Sequence, residues 1–395
     1  LALAIHPPLM YVGYIINSVL YTMCILIYKH ENIQKIINFK IKQMTSWAIL
    51  FFTTSLALGA WWAYQELGWG GCWFWDPVEN MALISWIMII SLQHAIQKQG
   101  YNIGHLIMFN FIFCLVSLLI VRSGIILSVH AFTSDLYKGL GITWLILVCT
   151  LHYLVAYRQK QRINKNEKKI EQEPTKTDIV QLAFYVVIVT IFTCISLPII
   201  ISTQMAISIG PSFYGPILTP VLILLLVLVV ISKRLQWSKR LVLFVGSAIP
   251  FIISIFSWNV LKDNVFLSIA LITWIGVTIF ILSIINNQNK EGTPARMAHL
   301  GICILVIGVF GTMAYGIEFS KLLFPGNEII ADTYTFYLRE INYNKTENYC
   351  SMYANIAVTN NLSVDVVSIF PEKRYYLIKG IYLTRIEILS SLFTD

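Results

Sequence analysis

The sequence predicts an all-α polytopic membrane protein with about ten transmembrane helices and a small C-terminal β-rich soluble domain. Of its 395 residues, 57% are hydrophobic and only 12% are charged, and the mean hydropathy is +0.70. Soluble domains have a very different composition. Ten apolar segments also approach the roughly 20 residues that an α-helix needs to cross a bilayer. The end of the chain has the alternating pattern of strands instead.

The predicted membrane spans form two groups of five. A charged segment at 158–179 separates a first helical bundle, 1–157, from a second one, 180–317, and we interpret it as a basic, solvated linker. The predicted spans are 9–28, 47–64, 81–97, 106–128 and 139–157 in the first bundle, and 180–202, 216–232, 241–257, 265–286 and 298–317 in the second.

The last part of the chain, 318–395, differs from the rest. Short runs at 333–338 and 354–358 alternate between apolar and polar residues, with turn-forming residues between them. Such alternation is typical of strands with one buried face. We therefore predict a β-rich soluble domain here.

The distribution of basic residues predicts which helix ends share a side of the membrane. The net charge is +8, and most basic residues lie in the connections after the odd-numbered helices. The positive-inside rule places these connections on the cytoplasmic or matrix side. The loop at 65–80, the His6 end, the His130 loop and the β domain then share the opposite side. Because the basic residues are spread over short loops at membrane boundaries, the sequence does not favour nucleic-acid binding.

Several kinds of chemistry lack their sequence motifs. The seven cysteines occur singly and no C-x-x-C is present, so a disulfide framework, a zinc knuckle or a thiol-redox centre is unsupported. No nucleotide-binding glycine loop occurs either. The absence of C-x-x-C-H excludes covalent haem attachment of the c type to this chain.

The most informative segment is LGWGGCWFWDPVEN at 67–80, a glycine-containing loop dense in aromatic residues. Tryptophan is common at membrane surfaces as an anchor. A cluster of indoles interrupted by glycines exceeds what an anchor requires. We interpret the loop as a platform for a large, flat, apolar ligand. Its aromatic residues are Trp69, Trp73, Phe74 and Trp75.

Four histidines form two pairs at two depths of the membrane. His6 and His130 lie on the side of the Trp-rich loop, whereas His94 and His299 lie deeper, near the basic side. Imidazole is an ordinary axial ligand of haem iron, and an intramembrane histidine is a functional candidate. The alternative for any one of them is a hydrogen-bonded residue at a helix interface. We interpret three further histidines in that way: His30, His105 and His152.

Arg122 lies inside the fourth predicted span. It is about 12 Å, or two helical turns, below His130. A guanidinium at this depth needs an anionic partner or a wet cavity. A haem propionate could bind it through a bidentate contact. An internal Asp or Glu is the alternative, and both remain open.

Several blocks of the sequence resemble a known family. The Trp-rich loop, with WWAYQELGWGG at 61–71 leading into it, resembles the "WWD" signature of membrane proteins that handle haem in cytochrome c maturation. Other blocks resemble CcmF-type cytochrome c haem lyases, and the last two favour CcmF over CcsA-type synthases. They are IHPPLMYVGY at 5–14, VRSGIILSVHAFTSD at 121–135, GTPARMAHLG at 292–301 and PEKRYY at 371–376.

This resemblance implies two haem sites. The residues that match His6 and His130 ligate a substrate haem presented at the WWD platform, and those that match His94 and His299 hold a buried b-type haem as a bis-histidine pair. The platform residues are Trp69, Trp73, Phe74, Trp75 and Asp76, with Arg122 as a further haem contact. Cys72 stands where the family usually has another tryptophan.

The resemblance also implies an activity, partners and a location. The activity is thioether attachment of haem to the C-x-x-C-H cysteines of apocytochrome c, with no residue assigned as a catalyst. The implied partners are a haem chaperone of the CcmE type, a CcmH-type thiol partner, apocytochrome c, further CcmF fragments and the lipid bilayer. We expect a shortened or split form in the mitochondrial inner membrane, with the platform and β domain facing the intermembrane space. A bacterial inner membrane is the alternative location.

Two other classes of function stay open. One is a membrane haem carrier or electron conduit that forms no bond. The other is a structural subunit of a larger respiratory assembly.

Overall fold

A computed structural model gives the fold of the chain. It describes residues 2–30, 34–66, 73, 75–97, 103–123, 135–166, 297–298, 301–302, 304–305, 308, 319, 321–331, 333–360, 366–377 and 380–388.

The N-terminal part of the described chain is helical. Its five long helices are α1 (Ala2–Lys29), α2 (Gln34–Glu66), α3 (Pro77–Gln97), α4 (Ile103–Ser123) and α5 (Leu136–Asn166). All except α3 are long and apolar enough to cross a membrane. Each of the first five predicted spans falls on one of these helices, which confirms a helical membrane region. The second bundle lies almost wholly outside the described residues, so the total of ten spans stays a prediction.

All five helices begin earlier than the predicted spans, and α2 begins at Gln34 instead of 47, so that Lys35, Lys40 and Lys42 lie in a helix and not in a connecting loop. Helix α3 begins at Pro77 instead of 81, because Asp76 and Glu79 form a capping box around Pro77. Helix α5 continues to Asn166, into the segment interpreted as a linker. The added residues include Arg158, Lys160 and Arg162, and long basic side chains are good helix formers.

By contacts, the described chain forms two compact units. One contains the start of α1, the end of α2 and the C-terminal strands, and the other contains the end of α1, the start of α2 and α3 to α5. In the first unit, α1 and α2 approach closely at Gly13. A Cβ at Gly13 would lie 2.5 Å from the ring of Phe52, which is fully buried. A small residue is therefore required where these helices touch.

In the second unit, α1, α4 and α5 pack through apolar and aromatic residues. The ring of Tyr21 stacks on that of Phe111 at 4.7 Å, and Tyr153 is buried beside Tyr28. A buried polar contact links α1 to α4, because Asn110 Nδ2 donates to Asn17 Oδ1 at 2.6 Å. Such interhelical amide contacts contribute of order 1 kcal/mol in membranes.

The C-terminal part of the chain is β-rich, as predicted, and its strands form an antiparallel sheet. Its strands are β1 (Glu328–Ala331), β2 (Tyr334–Lys345), β3 (Tyr349–Asn360), β4 (Val366–Ile369), β5 (Glu372–Tyr376) and β6 (Ile381–Arg385). The order is β1-β2-β3-β5-β6, and β4 pairs with β3 next to β5. The alternating runs at 333–338 and 354–358 lie largely in β2 and β3. A bulge after Leu338 shifts their register.

Candidate functional site

The Trp-rich loop leads into α3 through a capping box. Asp76 Oδ2 accepts a hydrogen bond from the Val78 amide at 3.0 Å, and Glu79 accepts one from the Asp76 amide at 3.3 Å. Between them, Pro77 takes the first helical position, where its missing amide hydrogen costs nothing. Asp76 is 8% exposed. The structure therefore gives this aspartate a clear role in fixing the start of α3.

The residue before this cap, Trp75, has a left-handed backbone. Its φ is 61°, a conformation that bulky residues rarely adopt. The side chain of Asn80 donates to the Trp75 carbonyl at 2.9 Å, and the Asn80 amide donates to the Asp76 carbonyl. Asn80 is fully buried. The loop thus turns sharply at Trp75, and α3 itself holds the turn in place.

The remaining platform residues are only partly described. Trp73 is partly exposed, whereas Trp69 and Phe74 lie outside the described residues, as does Cys72.

His6 lies on α1 against the end of α2. Its ring stacks on Trp62 with centroids 6.2 Å apart and planes at 21°. Gly59 makes this approach possible, because a Cβ there would lie 3.1 Å from His6 Nδ1. Ser55 Oγ donates to the His6 carbonyl at 2.6 Å. These contacts orient the imidazole. Its predicted partner, His130, lies outside the described residues.

His94, near the end of α3, has a hydrogen bond that defines its tautomer. Its Nδ1 lies 2.9 Å from the Ile90 carbonyl oxygen, which can only accept. Nδ1 is therefore the donor, and in the neutral imidazole the lone pair is then on Nε2, the arrangement that an axial ligand of iron requires. His94 accordingly fits the predicted inner haem site. His299 lies outside the part of the chain that the structure describes.

Arg122, in the last turn of α4, lines a groove of about 450 Å³ together with residues of α5. Among the residues that the structure describes, the other lining residues are Lys138, Gly141, Ile142 and Leu145. Asp135 joins the two helices, because its amide donates to the Arg122 carbonyl at 3.0 Å. The Asp135 carboxylate caps α5 by accepting from the Tyr137 amide at 2.9 Å.

Two of the three histidines interpreted as interface residues have such roles in the structure, whereas the interpretation is wrong for His30. His105 Nδ1 lies 2.6 Å from the Tyr153 hydroxyl, and His152 Nδ1 lies 3.2 Å from the Tyr21 hydroxyl. His30 is exposed at the end of α1. These contacts explain the first two by helix packing.

Sequence reasoning missed four residues at the candidate site: Trp62, Gly59, Asn80 and Lys138. Asn80 had a recognisable signal, because the D-P-x-E pattern of a capping box directly precedes it. Trp62 lies in the block at 61–71 that leads into the Trp-rich loop, but no signal indicated its contact with His6, and Gly59 had none either, since these contacts join segments far apart in the chain. Lys138 resembled an ordinary boundary lysine.

The described fold defines a class of protein, a polytopic helical membrane protein with a C-terminal β domain. A family model described as "Cytochrome C assembly protein" matches residues 1–128, which include α1 to α4 and the Trp-rich loop. A solved structure described as "Cytochrome c Heme Lyase CcmF" shares the fold with a TM-score of 0.74 over 98% of this chain and 64% of that one, at 17% identity.

Curated relatives narrow the class to one family. The cytochrome c-type biogenesis protein NrfE of Haemophilus influenzae is 30% identical over all of this chain and 66% of its own length. The cytochrome c-type biogenesis protein CcmF of Escherichia coli is 27% identical over all of this chain and 64% of its own length. The chain belongs to the CcmF-type family of cytochrome c biogenesis proteins. It spans slightly less than two thirds of the length of these relatives.

Proposed function

We propose that the chain is a cytochrome c haem lyase subunit that holds a substrate haem on its WWD platform while apocytochrome c thiols react with it. The left-handed Trp75, held by Asn80 and followed by the Asp76 cap, is the observation that carries this proposal. A bulky residue persists in that conformation only where its surroundings impose it. A loop that merely anchored the protein in the membrane would not need a fixed indole.

In this proposal, each group on the outer side orients one part of the substrate. The aromatic residues Trp69, Trp73, Phe74 and Trp75 hold the porphyrin plane, and His6 and His130 hold the iron. The stacking of His6 on Trp62 supports this role, because a ligand must be held by its neighbours to fix a pose. Asp76 contributes to this site by capping the turn that leads into α3.

The bond-forming step needs orientation more than it needs a protein nucleophile. A thiol of the C-x-x-C-H motif adds across a haem vinyl group. One S–H bond and one C=C π bond break, one S–C bond and one C–H bond form, and no net oxidation occurs. Two reactants bound in a productive pose have already lost their translational and rotational freedom, and this removes much of the activation barrier. This chain contributes the fixed pose.

The proposal includes a second, inner site in which His94 and His299 hold a b-type haem. The Nδ1 hydrogen bond of His94 supports it, because that bond leaves the lone pair on Nε2. A haem bound there would supply one-electron chemistry within the membrane.

Partners and location follow from the same proposal. We expect a CcmE-type haem chaperone to deliver the substrate, a CcmH-type protein to present reduced thiols, and further CcmF segments to complete the assembly. We propose the mitochondrial inner membrane, with a bacterial inner membrane as the alternative location. The relatives named as cytochrome c-type biogenesis proteins support a role in maturation.

Co-expression with an apocytochrome in cells that lack their own haem lyase tests the proposal. Covalent haem on a denaturing gel is the expected product, and His6→Ala and His130→Ala should abolish it while the b-type absorption remains. His94→Ala should remove the b-type absorption. His30→Ala is the matched control, since His30 is exposed and outside both sites. Formation of the covalent product without this chain would overturn the proposal.

An electron conduit is the second candidate function, and the His94 tautomer favours it as well. The same experiment separates the two. A conduit would show the b-type absorption, but it would yield no covalent product that depends on His6.

A further inference from the structure

Three tyrosines and a histidine from α1, α4 and α5 meet at one end of these helices. They are Tyr28, His105, Tyr153 and Tyr157. We propose that Tyr153 and His105 form a redox-active pair, in which Tyr153 gives an electron to a one-electron oxidant while His105 takes its proton. This activity goes beyond the proposed function, because it involves none of the residues assigned to the two haem sites.

A chain of hydrogen bonds runs from Tyr28 through Tyr153 to His105. The hydroxyl of Tyr153 lies 2.6 Å from Nδ1 of His105, and the hydroxyl of Tyr28 lies 3.3 Å from that of Tyr153. A phenol has one proton to donate, and an imidazole nitrogen without a proton can only accept. Both hydroxyls are satisfied when Tyr28 donates to Tyr153 and Tyr153 donates to His105. The proton of Tyr153 is then directed at a base.

The burial of the two phenols sets their chemistry apart from packing. Tyr153 is 3% exposed and Tyr28 is 6% exposed. Gly104 makes room for the Tyr28 hydroxyl, because a Cβ there would overlap its oxygen. Helix packing does not require these hydroxyls, since phenylalanine would fill nearly the same space and polar groups inside a membrane are costly. A buried phenol that loses an electron does require a neighbouring base, because a positive charge on the ring is unfavourable at low dielectric.

Tyr157 connects the pair to the surface of the protein. Its ring is nearly parallel to that of Tyr153, with planes 7° apart and centroids at 6.1 Å. Tyr157 is partly exposed, and its hydroxyl accepts a hydrogen bond from the exposed Gln161 at 3.0 Å. His105 is partly exposed as well. An electron therefore has a path between Tyr153 and an aqueous reactant through Tyr157, and the proton has a path to water through His105.

The proposed step transfers one electron and one proton. The O–H bond of Tyr153 breaks, an N–H bond forms at Nδ1 of His105, and the oxidant is reduced by one electron. A neutral tyrosyl radical and an imidazolium remain. A thiol in the aqueous phase then returns the electron through Tyr157 and is itself oxidised, while His105 returns the proton. Because haem and peroxide together generate one-electron oxidants, such a cycle would protect a protein that handles haem as proposed.

Flash oxidation of the full chain in nanodiscs, without haem, tests the proposal. The photo-oxidant is ruthenium tris-bipyridine with persulfate, and electron paramagnetic resonance detects tyrosyl radicals. The wild type is compared with Tyr153→Phe, His105→Gln and Tyr21→Phe. Tyr21 is the matched control because it is a buried tyrosine whose hydroxyl donates to the Cys149 carbonyl at 2.9 Å, so that its single proton is not directed at a base.

We expect a long-lived tyrosyl radical in the wild type that is absent from Tyr153→Phe and unchanged in Tyr21→Phe. His105→Gln should slow its formation about 100-fold, since a positioned base typically contributes this much, and glutamine keeps a hydrogen-bond acceptor without being a base. In the wild type, formation should also be slower in D2O, because a proton moves with the electron. Circular dichroism checks that the variants are folded, and the D2O comparison needs no variant.

Four results would overturn the inference. They are absence of a long-lived radical from the wild type, its persistence in Tyr153→Phe, an unchanged rate in folded His105→Gln, and equal losses in Tyr21→Phe and Tyr153→Phe. The last would indicate a packing defect and not a specific pair. Because the oxidant is added and haem is absent, none of these results bears on the proposed function. Failure of covalent haem attachment would instead contradict the proposed function and leave the tyrosine–histidine pair standing.

Discussion

At the scale of single residues, Trp75 shows how the site stores strain. A left-handed conformation costs a non-glycine residue about 1–2 kcal/mol. Here Asn80 offsets that cost by donating to the Trp75 carbonyl from a fully buried position. In the proposed site this strain would aim the indole of Trp75 at the haem, and Asn80 would act on the haem only through that indole.

Asn80→Ala should therefore impair haem binding at the outer site. Removing the donor leaves the Trp75 carbonyl without this bond, which costs about 1–3 kcal/mol if the group stays buried. We expect a lower haem affinity and less covalent cytochrome c, measured by absorbance titration and by gel. Asn110→Ala is the matched control, because Asn110 is equally buried and bonded but lies between α1 and α4. Equal losses of haem binding in both variants would indicate a purely structural role.

The backbone of Trp75 can be tested apart from its ring. Trp75→Asn and Trp75→Leu both remove the indole, but asparagine tolerates a positive φ and leucine does not. We expect the asparagine variant to be more stable by about 1 kcal/mol, as measured by thermal unfolding in detergent. The same pair at Trp73, which lacks a positive φ, should show no such advantage. An advantage of equal size at Trp73 would contradict the assignment of strain to Trp75.

The sequence predicted which types of residue form the candidate sites, but it did not predict their geometry. The aromatic cluster, His6, His94 and Arg122 were all chosen from the sequence. The tautomer of His94 was not accessible, because it depends on which helix carbonyl the ring contacts. The stacking of His6 on Trp62 was not accessible either, since it joins α1 to α2 across a long stretch of chain.

At the scale of elements, the sequence block on strand β5 has a structural explanation. It carries most of the PEKRYY motif, and Glu372 and Arg374 project from the same face because side chains alternate along a strand. The two side chains form an ion pair, and Arg385 on β6 lies 3.5 Å from Glu372. The Arg374 guanidinium also lies over the ring of Tyr349, 4.7 Å from its centre. The motif thus holds β3, β5 and β6 together.

This ion pair makes the sheet sensitive to acid. Burial alone would raise the pKa of Glu372, but the hydrogen bond and charge of Arg374 outweigh it and lower the pKa. A carboxylate with a lowered pKa in the folded state stabilises the fold above its unfolded pKa, which is about 4.3. That stability is lost as the pH falls through the folded pKa.

We therefore expect the amides of β5 and β6 to lose protection against hydrogen exchange below about pH 4, after correction for intrinsic rates. Glu372→Gln should remove most of this pH dependence and lower protection at neutral pH. Glu340→Gln on β2 is the control. Glu340 is exposed, and its carboxylate accepts hydrogen bonds from the side chains of Asn342 and Asn355. The same pH profile in wild type and Glu372→Gln would assign the acid sensitivity to another group.

Hydropathy located the five described helices but not their ends, because a helix can continue through residues that are not apolar, as α2 does from Gln34. Helix α3 starts earlier than its apolar segment because Asp76, Pro77 and Glu79 form a cap, and hydropathy does not detect caps. Helix α5 ends later because basic residues extend it without adding apolar character. Strands β2 and β3 lie where the alternating runs predicted strands, but side-chain burial along them does not alternate regularly.

At the scale of the whole molecule, the two-depth arrangement of histidines is still a prediction. The structure describes one member of each pair, His6 and His94, and both are held by neighbouring groups in a way that suits a ligand. Their partners come from segments far along the chain. Charge asymmetry can assign helix ends to the two sides of a membrane, but it gives no distances between helices. The sequence therefore could not show that the two histidines of a pair lie close together.

The sidedness on which that pairing depends can be measured directly. The positive-inside rule places the end of α5 at the cytoplasmic or matrix side and the β domain at the opposite side. We expect Arg158→Cys to react with a membrane-impermeant maleimide only after the inner side is exposed. Lys321→Cys should react from the outer side in intact mitoplasts or spheroplasts. Both positions are exposed, so accessibility depends on the side and not on burial.

The native cysteines provide the background, in which Cys350 of β3 should behave like Lys321→Cys. Labelling of both engineered cysteines from one side would contradict the topology and would remove the basis for separating an outer pair of histidines from an inner one.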